Sequence, residues 1–320
     1  MPGYILKTVL IWIFMVVALQ TGGSQHPKAD SLFAAWPDTT NLPMDRLNAF
    51  YERFDPFLPE ERNNPEAMRW GPHVQEGLAL VKQLGKKEYL ARFTVLASVV
   101  FYVQQDFENA CPLAQKAFDL SFELKDYNSS STALFILNIC VLDPVGISQN
   151  QLDNNYERIT AEIEGYTVDP EQVYLYSALA HHHYTNSDFP KALLLFQKTI
   201  QSYEVKGKTN QYYYIDAIAF TGCIHAKTGN YEEAEQYSLK ALELFQSFDG
   251  HVEEVGASYI DLAILYQLQK DNEKAAHFIE KAMTFMKGRE ECRPCMMKSK
   301  WVKASIDNLE FVQISMMSRK

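Results

Sequence analysis

The sequence predicts an all-α protein, a solenoid of stacked antiparallel helix pairs closed by a C-terminal capping helix. Three observations carry that prediction. A short motif of a turn, an acidic or polar pair and an alanine recurs at Gln105 to Ala110, Ser187 to Ala192, Gly229 to Ala234 and Lys270 to Ala275. Its alanines stand 82, 42 and 41 residues apart, so one period of about 41 fits all intervals if the first holds a degenerate copy. Small residues also lie at fixed offsets: Ser98, Ala180, Gly222 and Ala263 twelve before each alanine, and Ala117, Thr199, Ala241 and Ala282 seven after. Helix axes approach to ~8–10 Å only where side chains at the crossing are small, so each period reads as a helical hairpin.

Apolar spacing agrees. Ala234, Ser238 and Ala241 alternate by four and three, Ala275, Ile279 and Ala282 share a helical face, and strand-like alternation is nearly absent. Pro170, the polar run 206–210 and Asp249-Gly250 punctuate the hairpins. Beyond Gly288, Val302, Ile306, Leu309, Gln313 and Met316 form a stripe suited to capping the bare face of a terminal repeat. The segments expected are 1–24, a signal peptide or N-terminal anchor; 25–86, a helical region with a possible degenerate repeat; 87–290, the array; and 291–320, the cap.

A composition of 47% hydrophobic and 13% aromatic residues supports a continuous core. The net charge of −10, with no Lys/Arg cluster, argues against a nucleic-acid partner. Lys7, the apolar run Val9 to Leu19 and the small residues Gly22 to Ser24 read as a secretory signal cleaved near Ser24. Retention as an anchor is the alternative, and the only membrane attachment expected. The localisation expected is therefore exported, either periplasmic or membrane-anchored and facing outside the cytoplasm.

These residues resemble the tetratricopeptide repeat family, which has small residues at repeat positions 8, 20 and 27 and an aromatic at 11 or 24. Gly222, Gly229, Tyr231, Ala234 and Ala241 match in one unit, and Ala263, Tyr266, Ala275, Ile279 and Ala282 in the next. Leu179, Ala180, Ala192 and Phe196 match in a third. Residues 128–168 depart from the pattern, because Pro144 and Gly146 interrupt them and no alanine stands near 151; the second helix there is left open. Asp30-Ser31-Leu32, Trp36 to Thr40, Arg46-Leu47 and Ala49 resemble the segment preceding such repeats in exported sensor portions of bacterial signalling proteins.

The resemblance implies a groove lined by repeat positions 2, 5, 9, 12 and 13 of each first helix. Its implied partner-binding residues are Arg92, Tyr102, Tyr174, Ser177, His181, Tyr184, Asp216, Lys227 and Gln267. Val95, Val99, Val103, Thr185, Ala219, Cys223, Ala226, Ala257, Ile260, Ile264 and Leu268 fall on the same positions. A Lys/Asn carboxylate clamp is not supported, since Val95, Val99, Ser177, His181, Ala219 and Cys223 occupy its places.

No catalytic, cofactor or metal site is expected. Gly207-Lys208-Thr209 lacks the earlier glycine of a phosphate loop, and the successive residues of His181-His182-His183 point about 100° apart on a helix. His183 and His225 fall at position 11, in place of a packing tyrosine. Cys292 and Cys295 are expected to form a local disulfide, with free thiols as the alternative; Cys111, Cys140 and Cys223 are expected as small core residues. Asn128-Ser129-Ser130 is a glycosylation acceptor only in a eukaryotic secretory pathway. The function expected is an extracytoplasmic scaffold binding a protein or peptide through its groove, in the role of the sensing part of a signalling system. The alternative is a small-molecule sensor.

Overall fold

The structure, a computed structural model, describes residues 45–47, 71–142, 146–163, 168–247, 252–287, 299–300 and 302–306. The signal segment, Cys292 and Cys295, and Leu309, Gln313 and Met316 lie outside the described residues. The chain divides into two compact units, one within residues 18–166 and the other within 167–320. Among the described residues every regular element is helical.

The first unit holds α1 (Gly71–Leu84), α2 (Lys87–Val103), α3 (Phe107–Glu123), α4 (Tyr127–Cys140) and α5 (Gln149–Glu162). The second holds α6 (Val173–Thr185), α7 (Phe189–Val205), α8 (Tyr212–Thr228), α9 (Tyr231–Gln246), α10 (Val252–Leu268) and α11 (Asn272–Met286). A 3-10 turn over Pro170–Gln172 leads into α6. The hairpins are α2/α3, α4/α5, α6/α7, α8/α9 and α10/α11.

The turn motif has a structural cause. Gln105, Ser187, Gly229 and Lys270, each five residues before a repeat alanine, all have positive φ, between 60° and 85°. That conformation turns the chain out of the first helix and lets the next residue donate its backbone N–H to the carbonyl five residues back. Asp106 bonds Phe101, Asp188 bonds His183, Asn230 bonds His225 and Asp271 bonds Tyr266, all at 2.9 Å. Asp106, Asp188 and Asp271 then cap the second helix, accepting from the amides of Asn109, Lys191 and Lys274. One five-residue segment thus ends one helix and starts its partner.

The small residues at the crossings are buried in every complete repeat, and Gly222 shows how tightly. A β-carbon there would stand 2.8 Å from Ser238 Oγ and 3.1 Å from the Ser238 amide. In the first unit, a β-carbon on Gly77 would fall 2.0 Å from the ring of the buried Phe93, so glycine lets α1 seat against α2. Leu47 joins the same core, and the nearly buried Arg46 pairs with Glu76 at 2.8 Å.

The irregular repeat does form its second helix. Ser148 and Gln151 make a reciprocal capping box that opens α5. Buried Asn155 exchanges amide hydrogen bonds with Gln115 of α3, and Arg158 pairs with Asp119 while lying over Phe118 and Phe122. Tyr156 bonds Asn138 of α4, and burial pushes its phenol above the usual range. Polar pairs thus hold α5 to α3 and α4 in the repeat that lacks the alanine.

The cysteine expectation needs correction. Cys111 and Cys140 are buried, as core residues should be, but they are bonded to each other across α3 and α4. Ser121 and Ser130 meet at 2.9 Å further along the same antiparallel register, so the two helices are joined at both ends. The signal was the shared register of Cys111/Cys140 and Ser121/Ser130, which shows only once both helices are placed. Cys223 is unbridged and half-buried. Asn128 sits half-buried in the first turn of α4 with its Oδ1 buried.

At the C-terminal side, Ser299, Val302 and Ile306 are buried, the last two within the core of the second unit. Lys303 approaches Glu280 of α11 at 3.6 Å. The described part of the expected capping segment therefore covers the last hairpin.

Two substitutions test the geometry. Lys270→Gly removes a β-carbon from a left-handed residue, a strain of ~1–2 kcal/mol partly offset by the greater freedom of glycine in the unfolded chain, so urea unfolding is expected to show a gain of roughly 0.5–1 kcal/mol. Gly222→Ala is expected to lose about 1–3 kcal/mol in the same assay, because the β-carbon meets backbone as well as a hydroxyl.

Candidate functional site

In the first unit, Arg92 is exposed on α2 with its Nε 3.9 Å from Asp126, the cap of α4. Tyr102 is half-buried, its ring edge-on to Phe107 and Phe135, and burial pushes its phenol up to about 12. Phe135 on α4 is 52% exposed, a groove-side ring that the family positions did not include. Val95 is core rather than surface, Val99 is half-buried, and the side chain of Val103 lies outside the described residues.

The second unit brings together more of the expected residues. His181 Nε2 lies 2.8 Å from Asp216 Oδ2, joining the first helices α6 and α8. The carboxylate can only accept, so Nε2 carries the proton. The imidazole stands edge-on to Phe196 at 5.1 Å and to Phe220 at 4.5 Å, while Phe220 stacks on Phe196 and meets Tyr184 edge-on at 4.9 Å. Tyr184 also packs on Phe189, and the exposed Lys227 places its ammonium 5.9 Å from the Tyr184 ring centroid. Burial, with contributions from Cys223 and Asp261, raises the Tyr184 phenol well above its ordinary range. The Cys223 thiol points at Asp261 Oδ2 of α10 at 3.9 Å.

Tyr174 stands edge-on to Tyr213 at 5.6 Å and interacts with buried Tyr203, whose phenol is raised by burial and by these neighbours. The groove assignment of Ser177 is corrected: it is 1% exposed, and its Oγ has no hydrogen-bond partner. It shares a helical stripe with Tyr174 and His181 but is buried. Asp216 is also largely buried, by its bond to His181. Gln267 donates to Ser305 at 2.9 Å, so the capping segment takes up its amide. Ile260 is core, Ile264 half-buried and Leu268 exposed; Ala219, Ala226 and Ala257 are half-buried, and Thr185 bonds back to its own helix.

Phe220 and Asp261 were missed for one reason. Both occupy repeat position 6, outside the expected groove set, yet each reaches the first helix of the preceding repeat. The three consecutive histidines diverge as their helical spacing requires: His181 to Asp216, His182 to Asn186 and His183 toward Asp188. His225 lies stacked on Tyr237, a packing role like the tyrosine expected at its position.

The tetratricopeptide repeat family profile matches residues 222–288, which take in α9 to α11 and the end of α8. This part of the chain is similar to tetratricopeptide repeats. No curated protein matches the sequence. Among solved structures, BtubC (BKLC) from P. vanneervenii is 15% identical, with 76% of this chain and 93% of that chain covered and a TM-score of 0.38. The STAND signal-transduction ATPase PH0952 from Pyrococcus horikoshii, with its tetratricopeptide repeat sensor, is also 15% identical. There the coverage is 93% of this chain and 48% of that chain, with a TM-score of 0.42.

The His183 ring gives a pH prediction. Burial lowers its pKa, opposed by Asp188 and reinforced by Lys191. The unfolded chain therefore binds the proton more readily, and the stability from this site is present above about pH 6.5 and lost as pH falls below it. His183→Tyr, which restores the aromatic expected at this position, is expected to flatten the decline in melting temperature between pH 7 and 5. An unchanged slope would assign that decline to other groups.

Proposed function

We propose that this chain is an extracytoplasmic tetratricopeptide scaffold that binds a protein or peptide partner and serves as the sensing part of a signalling system. Tetratricopeptide repeats are in general non-enzymatic scaffolds for protein interaction, which is the coarse function of the matched segment. The observation that carries the finer reading is the first-helix face of the second unit. His181, Tyr184 and Phe220 are held there in ring contact, and Tyr174 against Tyr213, yet all are only half-buried. Rings fixed by packing offer contact area with little further loss of side-chain freedom on binding, as at interaction hot spots.

Export is supported by the apolar segment after Lys7 and by the Cys111–Cys140 bridge, since disulfides form and persist mainly in oxidising compartments. The sensing role rests on the resemblance of residues 30–49 to segments preceding such repeats in exported sensors.

Affinity purification of the full chain, compared with a Tyr174→Ala/Phe220→Ala variant of similar helical content, tests the binding reading. One stoichiometric polypeptide is expected with the wild type and not with the variant; equal recovery would move the binding surface elsewhere. The compartment is tested by alkylating protein taken directly from cells. Cys223 is expected to label without reduction, and Cys111 and Cys140 only after it. Reduction is expected to cost roughly 3–4 kcal/mol of stability for a loop of this length, read as a fall in urea midpoint. Free thiols at both positions would remove the support for export.

A further inference from the structure

The first-helix face of the second unit is rich in rings and poor in free charge. Helix α6 carries no Asp, Glu, Lys or Arg, and the first half of α8 carries only Asp216. That carboxylate is 8% exposed and is taken up by His181. Lys227 and Asp261, of opposite sign, both stand at one end of the face, near Tyr184.

The rings fall into two groups along α6. At its N-terminal end Tyr174 stands edge-on to Tyr213 of α8 at 5.6 Å, and Tyr213 meets Tyr212 edge-on at 5.7 Å. Toward its C-terminal end Phe220 of α8 is edge-on to both His181 and Tyr184. All these rings are half-buried, so part of each reaches solvent. Several tyrosine hydroxyls of the unit are engaged within the protein: Tyr176 with Gln172, Tyr214 with Glu204, Tyr259 with Gln246 and Tyr266 with Glu235. Those of Tyr184 and Tyr213 make no hydrogen bond to any described residue, which leaves two donors for a ligand.

A segment that suits this face brings apolar surface for the rings and carbonyl acceptors for the two phenols. It also brings few N–H groups, because the central carboxylate that could accept from them already holds His181. Proline meets all three conditions: it has no amide proton, its extended helix leaves every carbonyl unbonded, and its ring packs against aromatic side chains. Length agrees too. Tyr174 and Tyr184 are ten residues apart on α6, about 15 Å, which roughly five residues of polyproline II helix span. Packed rings and a stiff ligand both lose little freedom on meeting.

We propose that this face recognises a proline-rich segment in the polyproline II conformation. Its prolines lie against the Tyr174–Tyr213 pair at one end and the Tyr184–Phe220 pair at the other, and Tyr213 and Tyr184 donate to its carbonyls. The proposal rests on the reading of the first-helix face as a peptide-binding surface and names the chemistry it selects.

The test is selection of random dodecapeptides displayed on phage against the immobilised full chain, followed by fluorescence anisotropy with one selected peptide. The expected pool carries two prolines about five residues apart. Replacing either by Ala is expected to weaken binding about tenfold, and so is Tyr184→Phe/Tyr213→Phe, which removes both donors and keeps both rings. Raising the salt concentration from about 0.05 to about 0.5 M is expected to change the affinity less than about twofold. Thermal melting separates lost binding from lost folding, and the two single Phe substitutions carry the test if the pair does not fold. A consensus without proline, a selected peptide that turns helical on binding by circular dichroism, a steep salt dependence, or full affinity in the folded Phe variants overturns the proposal. If proline-free peptides lose affinity in Phe220→Ala, the surface stands and only its proline preference falls. If no peptide is selected, or none responds to any first-helix substitution, the surface itself is overturned as well.

Discussion

At the crossing of each regular helix pair, three side chains no larger than threonine meet: Ser98, Ala110 and Ala117; Ala180, Ala192 and Thr199; Gly222, Ala234 and Ala241; Ala263, Ala275 and Ala282. All are buried. That close approach is the constraint on which the rest depends, because it fixes the distance between the two helices and so which neighbouring side chains can touch. Larger residues beside the crossings, such as Phe196, Tyr266 and Ile279, fill the space that remains. The same approach leaves the bulk of the first-helix face to residues that also meet the next repeat, which is how His181 comes to face Asp216.

The turns enforce the crossing from the other side. A left-handed residue followed by Asp or Asn satisfies the end of one helix, and where that residue is Asp its side chain also caps the beginning of the next, so the hairpin angle is set locally. Where the alanine is lost, in the repeat of α4 and α5, other means hold the helices. The Asn155–Gln115 amide pair, the Arg158–Asp119 contact and the Cys111–Cys140 bridge all fasten that repeat to the one before it. A covalent link beside the least regular repeat compensates for packing that the sequence there does not provide.

The candidate surface follows from the stacking of first helices. Position 9 of one repeat touches position 2 or 6 of the next, so His181 finds Asp216 and Cys223 finds Asp261. Aromatic residues from second helices, Phe196 among them, support this layer from beneath. The result is a face whose rings are fixed by packing but not sealed from solvent, with carboxylates at its centre.

The sequence by itself determined the helix pairs, their period and their turns. Crossing contacts and capping are local or recur at a fixed interval, and a recurring constraint leaves a recurring residue at Ala110, Ala192, Ala234 and Ala275. It also determined α5 more firmly than its lost alanine suggested, since Ser148 and Gln151 bound a four-residue signature of a helix start. Only the tertiary structure decided the Cys111–Cys140 bridge, the burial of Ser177, the capture of Gln267 by Ser305 and the groove-side roles of Phe220 and Asp261. Each depends on how two separate helices are rotated about their axes, and a rotation of one residue's worth, about 100°, exchanges core for surface without changing the repeat pattern.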